Sequence, residues 1–345
     1  MSSKRNDQYW MQLAITEARK GIGLTSPNPP VGAVIIKGKE LLGKGWHTQA
    51  GKPHAEREAI ADALGRHEKD ILQGATIYIT LEPCSSHGRT PPCTQAILDA
   101  GISHVIYGAK DPNPEHAGCA EVDLKAAGVS VTTGVCEQGC QQLIRPFTKV
   151  QQTGLPWVIL KSALSLDGRI TRAPSESRWL TSPASRELVQ QLRFECDAII
   201  TGGKTARIDD PSLTLRSANL PKKKQPWRMV VTRGTKSQLP ANLHLFSDDH
   251  ADRTLVQEGG DLHAALRTLV EKGCNSVLVE AGGTLMGAML EAGLADEVAI
   301  FYAPMLTGGP NTGFAGSQIE WELRDQHFSC IGDDILLRAS IKHPV

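Results

Sequence analysis

The chain has 345 residues, 40% of them hydrophobic, and 37 Lys plus Arg balance 37 Asp plus Glu for a formal net charge of +0. At about 150 residues per domain this length implies two domains, and the composition is that of a globular protein rather than a disordered or fibrous one. The charge balance argues against a protein that grips long nucleic acid, where a basic excess is the rule, and favours a small-molecule ligand.

The chain opens Met1-Ser2-Ser3-Lys4-Arg5-Asn6-Asp7 without an apolar signal segment, and no run reaches membrane-spanning length, so a cytoplasmic protein is expected. Residues 7–20 read as a capped helix ended by Gly21. The rigid loop Ser26-Pro27-Asn28-Pro29-Pro30 follows, then a strand over 31–36, a turn at Gly38 and a strand over 41–47. After a helix over 55–64 come a strand over 75–80, a cysteine-bearing loop, a helix over 94–100, a strand over 104–107, a helix over 122–127 and a strand over 129–133. A hairpin followed by alternating strand and helix implies a mixed sheet covered by helices. A last helix over 137–150 leads into the polar, Gly- and Pro-ended stretch 151–156, read as a linker that separates a first domain, 1–150, from a second, 151–345.

The first domain carries the constellation His54-Ala55-Glu56, Pro83-Cys84 and Cys93. One histidine and two cysteines from two segments close three sides of a zinc tetrahedron. A structural zinc takes four protein ligands, whereas a hydrolytic zinc keeps one position for water. With three ligands evident, Glu56 is the carboxylate placed to shuttle protons, as in the zinc deaminases, whose signature is His-x-Glu with Pro-Cys…Cys. His54 and Cys93 both fall at expected helix starts, where the positive helix end favours thiolate. The other six cysteines, Cys119, Cys136, Cys140, Cys196, Cys274 and Cys330, show no pairing logic, so reduced thiols are expected.

The second domain begins with a buried-strand pattern over 157–163 running into Ser165-Leu166-Asp167-Gly168-Arg169. A helix to Arg193, a strand over 197–201 and Gly202-Gly203-Lys204-Thr205 follow, then Asp209-Asp210-Pro211 and Arg216. The basic run Lys222-Lys223-Lys224 reads as a solvated loop. A strand over 229–232 precedes Arg233, and a strand over 276–279 delivers Glu280-Ala281-Gly282-Gly283-Thr284 to a helix starting near Leu285. Strand, glycines and helix let backbone amides approach phosphate oxygens. Neither glycine segment is a strict dinucleotide fingerprint, and Gly202-Gly203-Lys204-Thr205 lacks the spacing of a P-loop, which argues against ATP hydrolysis. Beyond the linker no second His-x-Glu or Pro-Cys appears, so the chain is not a tandem deaminase.

Between Cys84 and Cys93 stands Ser85-Ser86-His87-Gly88-Arg89-Thr90-Pro91-Pro92, far longer than the two residues of the short deaminase signature. Glu82-Pro83-Cys84-Ser85, Gly88-Arg89-Thr90-Pro91-Pro92-Cys93, Pro27-Asn28-Pro29 and Asp111-Pro112-Asn113-Pro114 together resemble the bifunctional riboflavin-biosynthesis deaminase/reductase family, and the resemblance extends over nearly the whole chain. It implies an α/β chain: a cytidine-deaminase-like three-layer domain followed by a dihydrofolate-reductase-like domain that uses NADPH. It implies that Asn28, His47 and Arg89 contact the pyrimidine or its phosphate; an amide reads a pyrimidine edge and an arginine suits a phosphate. In the second half Lys161, Glu176-Ser177 with Trp179, Asp209-Asp210-Pro211 and Glu280-Ala281-Gly282 carry it. There the resemblance places Ala163, Trp179, Thr205, Asp209, Gly282, Gly283, Thr284, Leu285, Met286, Gly287 and Ala288 at the cofactor, and Ser177, Arg193, Leu213, Arg216 and Glu280 at the substrate. The two arginines suit a sugar phosphate, and Lys161 suits a group that polarises the open-chain sugar where hydride arrives. Arg233, just past a strand, is a candidate to meet the NADP 2′-phosphate, at a position the family does not reserve for arginine. Homo-oligomers formed through the reductase half are implied as well.

Three departures from the family pattern stand out: Ser86 precedes His87 after the Cys-Ser pair, Cys119 and Ala120 replace Arg-Gly after the Asp-Pro-Asn-Pro loop, and Ile144 replaces an asparagine. Two rival readings make different demands. A nucleic-acid base deaminase with an accessory domain calls for basic and aromatic surface, yet aromatic residues make up 5%. A zinc-stabilised nucleotide-binding regulator calls for a fourth protein ligand, for which His87 is the nearby candidate.

Overall fold

The computed structural model describes residues 2–85, 92–171, 179–316 and 320–342. It divides into two compact units, Met1–Thr153 and Gly154–Val345.

The first unit runs α1 (Ser2–Arg19), β1 (Gly32–Lys37), β2 (Glu40–Trp46), α2 (Ala55–Leu64), β3 (Thr76–Leu81), α3 (Cys93–Asp99), β4 (His104–Ala109), α4 (Cys119–Ala126), β5 (Ser130–Thr133) and α5 (Glu137–Thr153). Its sheet has the order β2-β1-β3-β4-β5, with β1 antiparallel to both neighbours and β3, β4 and β5 parallel. Side chains alternate across a strand. Ala33, Ile35, Ile77 and Ile79 therefore meet Ala55, Ala59, Ile97 and Leu124 of α2, α3 and α4 on one face. Val34, Ile36 and Tyr78 meet Met11, Ala14, Leu143 and Ile144 of α1 and α5 on the other. Ile144, where the family pattern has asparagine, is 2% exposed in that second core, which explains an apolar residue there. Helix α5 continues through the polar residues 151–153, and Gly154 at φ 69° follows it.

Helix α2 lies on β2 backbone to backbone. A Cβ at Gly45 would stand 2.4 Å from the Ala59 nitrogen, and one at Gly43 2.4 Å from the Ala59 oxygen. That close seat sets the depth of the α2 N-terminus, where His54 and Glu56 are. Gly45→Val is expected to destabilise the first unit by about 1–3 kcal/mol through overpacking, read as a lower denaturant midpoint with an unchanged slope.

The second unit runs β6 (Trp157–Ser165), α6 (Pro183–Glu195), β7 (Ala198–Gly202), α7 (Gly203–Asp209), β8 (Trp227–Val231), α8 (His244–Ser247), β9 (Thr254–Gln257), α9 (Leu262–Glu271), β10 (Ser276–Val279), α10 (Gly283–Glu291), β11 (Glu297–Ala303), β12 (Glu322–Ile331) and β13 (Asp334–Lys342). The sheet order is β12-β13-β11-β6-β10-β7-β8-β9, parallel from β11 to β9, with β13 and β12 added antiparallel. The central strands are apolar along their length because both faces are covered. Leu266 and Leu269 of α9 and Met286 and Met289 of α10 cover Val277 and Val279. Val189 and Leu192 of α6 and Ala206 of α7 cover Ile199 and Leu278 on the opposite face. The basic run is not purely a solvated loop: Lys223 donates to the carbonyls of Phe194 (2.5 Å) and Cys196 (3.0 Å), placing a cation on the C-terminal end of α6. Burial pushes its ammonium pKa down.

Candidate active sites

His54 is the residue at the N-cap of α2, Cys93 is the first residue of α3, and Cys84 follows β3 by a short extended link. Their Nδ1 and two Sγ atoms all lie within 4.8 Å of one another. Nδ1 of His54 is 3.6 Å from the Cys84 sulfur and 3.3 Å from the Cys93 sulfur. Zinc bonds of about 2.3 Å to sulfur and 2.0–2.1 Å to nitrogen give a tetrahedral nitrogen–sulfur edge of about 3.6 Å, so this donor set fits zinc. The Cys93 N–H also donates to the Cys84 sulfur at 3.3 Å. The Cys84 thiol pKa is pulled down by its pairing with the Cys93 thiol, which outweighs the cost of burial, and by His54 and the Cys93 amide. The same pairing, with burial, pushes Cys93 up. His54 is raised chiefly by its bond to Cys84. A cation bound among these donors would take both sulfurs as thiolates and release their protons. Among the described residues the cluster holds these three ligands; His87 lies outside them.

Glu56, 3% exposed, stands beside the cluster, in the first turn of the helix that His54 caps. Burial raises its carboxyl pKa against the pull of His54, and the Cys93 thiol bonds to it. His47 closes the same site, its ring edge-on to His54 at 5.3 Å. Its Nδ1 is 3.0 Å from the Pro53 carbonyl, which can only accept, so Nδ1 carries the proton and Nε2, 3.1 Å from the Asn28 amide, accepts. Burial lowers the His47 pKa, in keeping with that neutral ring. Asn28 and His47 are therefore brought together beside the metal cluster. Arg89, with Ser86, lies outside the described residues.

One residue of the Glu82-Pro83-Cys84-Ser85 motif has an organising role that its sequence neighbourhood does not reveal. Glu82, 4% exposed and two residues before Cys84, accepts backbone N–H groups from Asp111 (3.3 Å), Gly118 (3.0 Å) and Ala120 (3.2 Å). It ties the end of β3 to the Asp111-Pro112-Asn113-Pro114 loop and to the start of α4, where Cys119 also sits. A glutamate in a strand-end position directly before Pro-Cys was the available signal, but its partners are far away in sequence.

In the second unit, strand order reverses at β10. From adjacent strands β7 and β10 the chain leaves in opposite directions, from β7 through α7 to β8 on one side and from β10 through α10 to β11 on the other, with α6 and α7 on one face of the sheet and α9 and α10 on the opposite face. Parallel strands diverging this way open a crevice at their carboxyl ends, the usual seat of a nucleotide. Gly282 and Thr205 face each other across it, the Gly282 N–H donating to Thr205 Oγ1 at 3.2 Å. A Cβ at Gly282 would meet only Thr205 Oγ1, at 3.6 Å, so this turn is open to a ligand. Gly283 and Gly287 have another use: a Cβ on them would stand 2.1 Å from the carbonyls of Thr312 and Ala315, so they seat the chain that crosses α10. Met286 is wholly buried in the core, whereas Thr284 is exposed and Leu285 and Ala288 are partly so. Trp179 is 47% exposed with the Arg186 guanidinium 5.3 Å from its ring, and Arg233 is exposed just past β8.

Glu280, immediately after β10, binds Arg193 through two bonds, from Nε at 2.6 Å and Nη2 at 3.1 Å, and lies 3.5 Å from Lys161 Nζ. Despite its burial the carboxyl is held down at about 2, because Arg193 and then Lys161 stabilise its charge. The remaining arm of Arg193 donates to the Thr214 carbonyl at 3.0 Å. Arg193 is thus engaged with protein groups; Arg216 is exposed. Leu213 is buried at φ 50°. Ser177 lies outside the described residues.

A family model described as "Cytidine and deoxycytidylate deaminase zinc-binding region" matches residues 4–109, and one described as "RibD C-terminal domain" matches residues 156–337. The chain is 39% identical to the riboflavin biosynthesis protein RibD of Escherichia coli over 89% of its own length and 90% of that protein's. It is 38% identical to RibD of Synechocystis over 96% of its length and 95% of the relative's. The structure of Acinetobacter baumannii RibD superposes with a TM-score of 0.89 at 38% identity, covering 99% of this chain and 100% of that one. A diaminohydroxyphosphoribosylaminopyrimidine deaminase/5-amino-6-(5-phosphoribosylamino)uracil reductase from Thermotoga maritima gives 0.87 at 31% identity with the same coverage. Fold and sites define a bifunctional enzyme, a zinc-dependent deaminase joined to an NADPH-type reductase. The chain belongs to the RibD family of riboflavin-biosynthesis proteins.

Proposed function

We propose that the first unit deaminates 2,5-diamino-6-ribosylamino-4(3H)-pyrimidinone 5′-phosphate and that the second reduces the ribosyl group of the product, giving 5-amino-6-ribitylaminouracil 5′-phosphate. The observation that carries the reading is the three-ligand cluster of His54, Cys84 and Cys93 with the buried, non-ligating Glu56 beside it. When bound, zinc supplies an acidified water and NADPH supplies hydride. Glu56 takes the proton of the attacking water and delivers one to the departing ammonia, a role suited to a carboxyl whose pKa is raised. Asn28 reads the pyrimidine edge, with its amide held by neutral His47, and Arg89 takes the phosphate.

In the second unit the crevice at the carboxyl ends of β7 and β10, bordered by Thr205 and Gly282, receives the dinucleotide, with Ala163, Trp179 and Asp209 along it. Lys161, held by Glu280, polarises the sugar carbon that accepts hydride. Ser177, Leu213 and Arg216 hold the substrate, with Arg216 assigned to its phosphate. We place the enzyme in the cytoplasm: all eight cysteines are free, which suits a reducing compartment, and among the described residues no helix is long and apolar enough to cross a membrane. We also expect a homo-oligomer through the second unit, supported by edge strand β12 with Phe328 63% exposed.

Zinc removal tests the assignment. Dialysis against a strong chelator is expected to abolish ammonia release while reduction of separately supplied deaminated substrate continues, and added zinc restores release. Full ammonia release from metal-free protein contradicts it.

A further inference from the structure

The segment 212–216 carries Leu213 and Arg216 past the end of Glu280, yet it belongs to no strand. Among the described residues, 212–215 make no backbone–backbone hydrogen bond. Side chains take the place of a neighbouring strand. Gln225 forms a two-bond pair with Leu215, accepting from its N–H at 2.7 Å and donating to its carbonyl at 3.1 Å, the pattern that one residue of a β-ladder offers another. Gln190, on the α6 face that also bears Arg193, accepts the Arg216 N–H at 2.8 Å. Arg193 and the buried Arg228 donate to the carbonyls of Thr214 (3.0 Å) and Ser212 (2.8 Å).

We propose that Gln190 and Gln225 are positioning residues of the reductase substrate site, fixing the backbone from which Leu213 and Arg216 address the substrate. The proposal rests on the assignment of Leu213 and Arg216 to that site. Neither glutamine belongs to the motifs that define the family resemblance, and each is engaged through its amide rather than packed as a filler: Gln190 is 9% exposed on a helix whose apolar side, Val189 and Leu192, faces the sheet. Leu213 sits in the left-handed region at φ 50°, a conformation that persists only where the surroundings hold it. Four side chains on five consecutive residues do so, and displacement of a positioned group by about 1 Å costs up to about 100-fold.

The test compares Gln190→Met, Gln225→Met, Gln190→Glu and Arg216→Ala in the full chain, with steady-state reduction of the deaminated substrate and NADPH binding by fluorescence titration. Both methionine variants are expected to raise KM for the pyrimidine by about tenfold with kcat within about threefold, the signature of lost uniform binding. NADPH affinity stays at the wild-type value. Gln190→Glu, which keeps the acceptor for the Arg216 N–H, restores KM. Unchanged KM in both methionine variants while Arg216→Ala raises it overturns the proposal; unchanged KM in Arg216→Ala removes the substrate assignment beneath it. Parallel loss of NADPH affinity, or failure of Gln190→Glu to rescue, reduces the glutamines to fold stability and also overturns it.

Discussion

Glu56→Ala lowers ammonia release by about 10²–10⁴-fold, the range for removal of a positioned general acid/base, and the variant keeps its zinc. The two halves of this result have separate physical origins. Zinc is retained because its donors are His54, Cys84 and Cys93, whose atoms lie within 4.8 Å of one another without any contribution from Glu56. Activity is lost because Glu56, 3% exposed, is the carboxyl beside them that can carry a proton between water and leaving amine. Glu56→Gln keeps the shape and loses the proton, so it falls by a similar factor. Metal content by emission spectroscopy and ammonia release by a coupled assay read the two halves independently. Near wild-type release from Glu56→Ala removes the residue from its role, and loss of zinc along with activity makes it a ligand instead.

Lys161→Ala slows NADPH oxidation by about 10²–10⁴-fold and leaves ammonia release unchanged. The Lys161 ammonium stands 3.5 Å from Glu280, and Glu280 keeps its two bonds to Arg193 when the lysine is gone. The carboxylate is therefore not stranded, which would otherwise destabilise the unit, and folding survives the substitution. Arg193 and Lys161 hold the Glu280 carboxyl well below the usual carboxylate range, so Lys161 faces a carboxylate at neutral pH. Stopped-flow absorbance of the reduced nicotinamide measures the step. An unchanged rate assigns Lys161 to structure.

The deaminase centre was legible because its chemistry is local. His54 and Glu56 lie on one helix start, and Cys84 and Cys93 flank one loop, so residue type and spacing alone define three ligands and a carboxylate. What the sequence concealed depends on partners distant along the chain. Glu82 reaches amides at 111, 118 and 120, and nothing in its own neighbourhood announces them. Lys223 sits in a run that composition assigns to solvent, yet the carbonyls of Phe194 and Cys196 receive its ammonium. The glycines of the second unit show the same ambiguity. Gly282 opens onto the crevice, whereas Gly283 and Gly287 are small because Thr312 and Ala315 pass over them; a glycine after a strand gives no hint of which. Arg193, read from the sequence as a substrate contact, also bonds Glu280 and the Thr214 carbonyl, partners that its own neighbourhood does not announce. Edge strand β12 is hardest of all, because its mostly exposed residues lack the alternation that marks a half-buried strand.

The central claim is that one chain performs deamination and then reduction. The most direct test follows absorbance of reduced nicotinamide with NADPH and the phosphorylated diaminopyrimidine, wild type beside Glu56→Ala. NADPH consumption by wild type, with none by Glu56→Ala until deaminated substrate is added, is the predicted result. Equal consumption by both proteins from the diamino substrate would contradict the order, and ammonia release without any NADPH consumption by wild type would contradict the assignment of the second unit.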